Sequence, residues 1–423
     1  MADSFELINA NTTFPVGPFP KEITQLCNNV ERLSSVRRME LRVENSKLYE
    51  LPDVEGSPEE SRGAQDDAGT ISKRFEVARL VYQQNEHSDQ SFFFDGLAIK
   101  ATPDGVAQIL RKEYEEWRKS YQAVYSKFIT HESSTASEPP KVKIAILDTG
   151  IDKKHPGAPQ LIKKVRNWMN QAPKDAHDTN GHGTATGCLL YEYAPDAEFY
   201  IAKVSDAEPA SPEIIAQAII HAVDKWNVDI ISMSFGYPTN QNQGYQKLRD
   251  SIDHASSKHV LLFAAASNNG RNSGIAFPAR EEKVIAVRAT NNRGKLSSFS
   301  PTPCRGTVNL ATIGKAVSVA SLGNGPSNQC PAHEIRSGTS YATPIVAGMA
   351  AFLLLYTRKK MPDLESRVKD PRIMKLLFQE VARVGNVALD DYDYVYMSLS
   401  QDRLFGKKKE YVEDKIRDIL KHS

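Results

Sequence analysis

Downstream of residue 141 the apolar positions gather into short unbroken runs: Val142–Leu147, Phe199–Val204, Val228–Ser234, Val260–Ala266, Val284–Val287 and Val317–Leu322. Runs of this length, continuous rather than alternating with polar residues, predict strands buried on both faces. Between them Pro212–Trp226 sets Ile214, Ile215, Ala218, Ile219, Ala222 and Val223 along one helical stripe, and Tyr245–Ser257 carries a weaker one. Strands alternating with helical crossovers predict an α/β fold, a mostly parallel central sheet with helices on both faces. Ligands of such sheets bind beyond the carboxyl ends of the strands, so catalytic candidates belong just after strands or at helix starts. Ile345–Leu355, the run behind Ser337-Gly338-Thr339-Ser340-Tyr341-Ala342-Thr343-Pro344, is apolar on every face, which marks a helix buried within a domain.

Upstream the pattern changes. Lys21–Arg38 has Ile23, Leu26, Val30 and Leu33 at helical spacing, and residues 52–70 have the Gly, Pro, Ser and acid content of a linker. Phe75–Tyr82 and Phe92–Lys100 read as strands around a turn, Thr102-Pro103-Asp104 opens a helix through Leu110, and Glu113–Ile129 continues helical and aromatic. The chain therefore divides into a helical segment (1–51), an acidic linker (52–70), a small α/β or mainly helical N-terminal domain (71–130), a Ser/Thr/Glu/Pro-rich linker (131–140), the α/β domain (141–360) and a helical extension (361–423). In the extension the Asp390–Tyr394 and Lys407–Lys409 charge runs read as solvated surface.

Composition adds exclusions. With 53 Lys plus Arg against 52 Asp plus Glu the net charge is +1, and no global field favours nucleic acid or a membrane as partner. Cys27, Cys188, Cys304 and Cys330 are scattered, without metal-ligand spacing, as free thiols of a reducing compartment are. Met1-Ala2-Asp3-Ser4-Phe5-Glu6 has acid where a secretory signal has base, and no unbroken apolar run reaches membrane-span length. The expectation is a soluble, cytoplasmic protein.

Four stretches carry candidate chemistry. Ser340 stands where a small-residue turn enters a helix, a place whose free N–H groups favour a developing negative charge, although an isolated Ser there is most simply an N-cap. Asp148, in Leu147-Asp148-Thr149-Gly150, ends the first strand of the domain. Asp-Thr-Gly is also the aspartic-protease signature, but that chemistry needs two such carboxylates, and a turn-capping Asp is the simpler alternative. His182 in Asp178-Thr179-Asn180-Gly181-His182-Gly183-Thr184 is bracketed by glycines that permit close approach, with no second His or Cys at metal-ligand spacing. Asn268, in Ala266-Ser267-Asn268-Asn269-Gly270, follows a strand, where a carboxamide either donates to an oxyanion or forms a turn.

Asp-Thr-Gly-Ile-Asp, His-Gly-Thr, the Asn loop and Ser-Gly-Thr-Ser-x-Ala-Thr-Pro-x-Val-Ala-Gly occur here in that order, and together they resemble the subtilisin-like serine proteases over about Lys141–Arg358. Trp226–Gly236 and Ser298–Pro303 resemble most the leaderless intracellular subtilases of filamentous fungi. The resemblance implies the subtilisin-like three-layer fold, Ser340 as nucleophile, His182 as general base and acid, Asp148 orienting His182, and an oxyanion hole made by Asn268 and the Ser340 N–H. It also implies an extended polypeptide substrate added as a strand beside Ser234-Phe235-Gly236 and Ala265-Ala266-Ser267, with Ala276 at the floor of an apolar specificity pocket.

The chain departs from the family at defined places. The usual Gly-Thr-His-Val-Ala-Gly is Gly183-Thr184-Ala185-Thr186-Gly187-Cys188 here, with Cys188 in place of a close-packing Gly on the helix that bears His182. Gly157 stands at an acidic calcium ligand and the loop before Ala194-Pro195-Asp196 is short, so neither calcium nor any other cofactor is expected. Phe94–Pro103 resembles the end of a subtilase propeptide, which leads to autoinhibition by the N-terminal region, with an unrelated regulatory domain as the alternative. Two functional readings follow: a serine endopeptidase working through an acyl-enzyme on Ser340, or an impaired homologue that binds peptides or proteins through the same cleft.

Overall fold

The computed structural model describes residues 40–44, 47–51, 92–93, 104–130, 138–169, 175–206, 210–237, 243–270, 274–324, 331–382, 386–389, 392–399 and 403–422. The chain separates into two compact units, residues 1–88 and 89–423. In the first, β1 (Glu40–Glu44) and β2 (Lys47–Leu51) form an antiparallel hairpin. The helix expected over Lys21–Arg38, the linker 52–70 and the strand Phe75–Tyr82 lie outside the described residues.

The second unit opens with β3 (Phe92–Phe93) and α1 (Asp104–Tyr125), which runs into a π-helical turn at Ser126–Thr130. There follow β4 (Lys143–Asp148), β5 (Ile162–Asn167), α2 (His182–Tyr193), β6 (Glu198–Lys203), α3 (Pro212–Asp224), β7 (Ile230–Met233), β8 (Phe235–Gly236), α4 (Gln243–Ser257), β9 (Leu261–Ala265) and β10 (Val284–Thr290). The unit continues with β11 (Leu310–Ile313), β12 (Val317–Asn324), β13 (Pro331–Arg336), α5 (Thr339–Lys360), α6 (Glu365–Val368), α7 (Pro371–Val381), β14 (Asn386–Leu389), β15 (Tyr392–Tyr396) and α8 (Lys409–His422).

A nine-stranded sheet runs in the order β14-β15-β11-β10-β9-β7-β4-β6-β5, parallel throughout except for the antiparallel β14–β15 pair. Successive residues of a strand point to opposite faces, and the core divides accordingly. Ile144, Ile146, Phe199, Ile201, Ile230, Leu261 and Phe263 pack with α1, α2 and α5, whereas Ala145, Leu147, Ala202, Ile231, Met233 and Leu262 pack with α3 and α4. The three-layer α/β architecture with a mostly parallel sheet is thus the one the apolar runs foretell.

Helix α5 is the spine of one layer. From Thr339 to Arg358 every residue is buried, and each fully buried Leu, Ile, Phe or Met contributes about 1.5–3 kcal/mol of transfer free energy. It is also the one helix among the described residues long and apolar enough to cross a membrane, yet all of that apolar window lies inside the protein. Helix α2 crosses α5 at Gly348, where an added Cβ would lie 2.4 Å from Tyr193 Cβ, so the close crossing requires glycine.

Two regions differ from the sequence expectation. Residues 104–130 form one continuous helix and π turn, and Tyr114, Tyr121, Tyr125 and Phe128 are buried in the same core as α2 and α5. The C-terminal extension is not wholly helical, because β14 and β15 extend the sheet past β11. Tyr394, within the acidic run expected at the surface, is buried; its hydroxyl donates to Gly294 O (2.6 Å) and accepts from Leu296 N–H (3.1 Å). The phenolic oxygens need partners when their rings enter a core, and the 291–297 loop supplies them.

Candidate active site

Strand β4 lies inside the sheet, between β7 and β6, and delivers Asp148 to its carboxyl end, where the side chain is 1% exposed. Its Oδ1 accepts from Thr149 N–H (2.7 Å) and faces His182 Nδ1 at 2.7 Å. A carboxylate only accepts, so Nδ1 carries the hydrogen and Nε2 is the basic nitrogen. Oδ2 accepts from the Thr186 hydroxyl at 3.0 Å.

His182 begins α2, and the loop before it is tied down by a second buried carboxylate. Asp178 Oδ1 accepts from Thr149 Oγ1 (2.8 Å), Asn180 N–H (3.0 Å) and Gly181 N–H (2.9 Å), while Oδ2 accepts from Thr184 N–H (2.8 Å) and Thr184 Oγ1 (2.6 Å). Burial alone would raise this carboxyl, but the donors from Thr184, Gly181 and Thr149 hold it below the usual range, ionised. Thr149 Oγ1 in turn accepts from Gly183 N–H at 2.8 Å. The two glycine turns pack so closely that a Cβ on Gly183 would sit 2.2 Å from Gly150 O, and one on Gly150 (φ +112°) would sit 2.3 Å from Ala176 O.

Helix α5 starts beside this pair, its Tyr341 ring centroid 6.0 Å from that of His182. Ser340 Oγ donates to Ser234 O (2.9 Å), and Ser234 Oγ returns a bond to Ser340 O (2.9 Å). Ser234 directly follows β7, the neighbour of β4, so the two strand ends and two helix starts converge. Asn268 follows β9, the next strand along, and its Oδ1 accepts from Thr339 N–H at 2.9 Å. With the carboxamide oxygen held there, its NH2 end is the donor the side chain presents.

The residues expected along the substrate lie around the same strand ends. Phe235 and Gly236 form β8, whose backbone pairs antiparallel with β3, Phe92 opposite Gly236 and Phe93 opposite Phe235. Ala265 and Ala276 pack together, 0% and 3% exposed. The ladder role expected of Ala265–Ser267 does not extend to Ala266, whose N–H is already given to Val287 O (3.0 Å) and whose C=O already accepts from Ala276 N–H (2.8 Å). Ser267 is buried and its Oγ accepts from Asn269 N–H at 3.1 Å.

The Cys188 departure is absorbed locally. Its thiol packs 3.6 Å from His155 Nδ1, and a Cβ on Gly157 would meet the same sulfur at 3.6 Å. Burial pushes this thiol well up from its ordinary value, as expected of a structural cysteine.

The motifs around Asp148 and His182 assign no role to Thr149, Asp178, Thr184 or Thr186, which the structure shows bracing the pair. The signal was an Asp placed before a helix start with threonines on either side, a pattern that satisfies orphan N–H groups.

Residues 140–377 match the model of the subtilase family. The chain is 28% identical over 281 residues to the subtilisin-like protease het-Q2 of Podospora anserina, covering 54% of this chain and 75% of that one. It is 32% identical over 262 residues to the major intracellular serine protease of Bacillus subtilis (strain 168), covering 57% of this chain and 78% of that one. Among solved structures, a lanthipeptide protease superposes with a TM-score of 0.57 at 19% identity, covering 72% of this chain and 95% of that one, which shows the shared fold. A family match over more than half of the chain, joined to these alignments, establishes that the chain belongs to the subtilase family of serine-type endopeptidases.

Proposed function

We propose that this chain hydrolyses peptide bonds through an acyl-enzyme on Ser340, within the reducing interior of the cell. The observation that carries the reading is the buried Asp148–His182 pair at 2.7 Å with the Ser340 helix start beside it. At rest the Ser340 hydroxyl is bonded to Ser234 O. Rotation of Oγ toward Nε2 lets His182 take the proton as Oγ attacks the substrate carbonyl, with the Nδ1 hydrogen held by Asp148 throughout. The oxyanion is received by the Asn268 NH2 group and the Ser340 N–H, which belongs to the first turn of α5 and has no helical acceptor. His182 then protonates the leaving amine, and water resolves the ester by the same steps reversed.

The substrate is an extended polypeptide entering along Phe235–Gly236 into a pocket floored by Ala276. Backbone pairing of Phe92–Phe93 on this edge supports a resting state in which the upstream segment competes with substrate. The reaction as read calls on no metal at the two usual calcium positions.

The full-length protein should cleave denatured casein and take up a fluorophosphonate probe at Ser340, and Ser340→Ala should abolish both. Phe93→Pro, which removes an N–H from the β3 backbone, should speed peptide hydrolysis. Absence of labelling in both the wild-type and Phe93→Pro proteins would sink the reading.

A further inference from the structure

Resting on that reading of the site, we infer that Thr186 is a positioning residue for the Asp148–His182 pair. Thr186 lies four residues after His182 in α2, and i,i+4 side chains share a helix face, so the imidazole and the hydroxyl meet Asp148 together. His182 engages Oδ1 at 2.7 Å, and Thr186 Oγ1 reaches Oδ2 at 3.0 Å. Both side chains are buried, Thr186 at 1% exposure. Among the described residues Thr186 is the one hydrogen-bond donor to Oδ2, the other donors to this carboxylate being on Oδ1.

The hydroxyl has a rival acceptor in Gly183 O at 3.2 Å. It has a single hydrogen, and the closer, charged carboxylate wins it, because bonds to an ionised acceptor are roughly twice as strong as neutral ones. The bond holds the carboxylate oxygen that is not bonded to the imidazole, and with it the orientation of the carboxylate. Without it, a buried anionic oxygen lacks a donor, and the negative charge concentrates toward Nδ1. Sequence position sharpens the point, since this threonine falls within the stretch where the chain departs from the usual family pattern.

Thr186→Val keeps the β-branched shape and removes only the donor, whereas Thr186→Ser keeps the donor. Asp178 and Lys203, the charged groups that reach this turn through Thr149, are untouched in either variant. In the full-length protein Thr186→Val should lower kcat by about tenfold or more at unchanged KM and move the acid limb of the kcat/KM profile to higher pH. Thr186→Ser should keep both at wild-type values. NMR titration of the His182 ring in a Ser340→Ala background reads the same effect without turnover, so it decides the matter even if the endopeptidase reading fails. A higher titration midpoint for Thr186→Val, but not for Thr186→Ser, is the expected result. An unmoved midpoint, or a serine variant as displaced as the valine one, overturns the inference; Thr186→Ala replaces valine if that variant folds poorly.

Discussion

Gly183→Ala pits helix propensity against packing at the site. Gly183 is the second residue of α2, and alanine in a helix is favoured over glycine by about 1 kcal/mol. The added Cβ, however, would lie 2.2 Å from Gly150 O, 2.9 Å from Gly150 N and 3.1 Å from Gly150 C. Real Cβ contacts essentially never fall below 3.0 Å, and the atoms met are backbone on the turn that follows Asp148. About 1 Å of separation must therefore open between the two halves of the Asp148–His182 pair, and overpacking of this kind costs about 1–3 kcal/mol. The net loss of stability is therefore at most about 2 kcal/mol, but the loss of function is larger. A misplacement of about 1 Å at reacting groups can lower the rate about 100-fold. Thermal unfolding should show a melting temperature within a few degrees of wild type, while kcat/KM on a chromogenic peptide falls by about two orders of magnitude. A variant more stable than wild type with unchanged kcat/KM would show that the turns do not fix the pair as argued.

Two further outcomes concern stability. Burial raises the Glu192 carboxyl to about 7, against the opposing pull of Arg118, so the folded state keeps a proton that the unfolded chain has lost above its ordinary value of 4.5. Stability should therefore fall as pH rises from 4.5 to 7. The fall is at most about 3 kcal/mol, less because a quarter of the side chain is exposed, and Glu192→Gln should flatten this slope in melting curves taken across that range. Arg358 binds buried Asp229 at 2.7 Å, with Lys369 a second partner at 2.6 Å. Arg358→Met should cost about 2–4 kcal/mol in urea unfolding, and Asp229→Leu added to it should recover part of the loss; a single variant as stable as wild type would contradict this account.

Much of the fold was legible because buried parallel strands write themselves as unbroken apolar runs. Five of the six runs between Val142 and Leu322 became strands of the nine-stranded sheet within a few residues of their expected ends, whereas the sixth, Val317–Leu322, became β12, which pairs antiparallel with β13 in a two-stranded sheet of its own. Buried β11 was missed because Leu310–Ile313 is short and includes a polar Thr312, and two other missed strands lack the signature for physical reasons. Ile162–Asn167 is the edge strand β5, with Lys163 and Lys164 exposed to solvent, so its sequence reads as polar surface. In β15 the rings of Tyr394 and Tyr396 carry hydroxyls that bond to a loop about a hundred residues away in sequence, which no local pattern reports. For the site, the residues named from motifs, Asp148, His182, Ser340 and Asn268, do converge at adjacent strand ends. What could not be read was the support around them, because Thr186 donating to Asp148 and Asp178 bonding Thr149 depend on how two turns and a helix meet in space.

That support reaches beyond the part of the chain that resembles its relatives. Helix α2 carries His182 at one end, fixed through Asp178 and the Gly150–Gly183 contact. At its other end Tyr193 is held by α1: the Tyr121 hydroxyl donates to Tyr193 O, and Tyr114 Oη lies 3.4 Å from Tyr193 Oη. Tyr121 and Tyr125 also pack against Phe352 of α5, with ring centroids 6.2 Å and 5.7 Å apart. Both helices that bear the candidate catalytic groups thus rest on residues 104–130, whereas the family match begins at residue 140. A fragment cut at the family boundary would bare Tyr193, Phe352 and Tyr356 to water and release the far end of α2. In this chain the mechanical boundary of the candidate catalytic unit lies upstream of the family boundary, and α1 belongs to the machinery that keeps His182 in place.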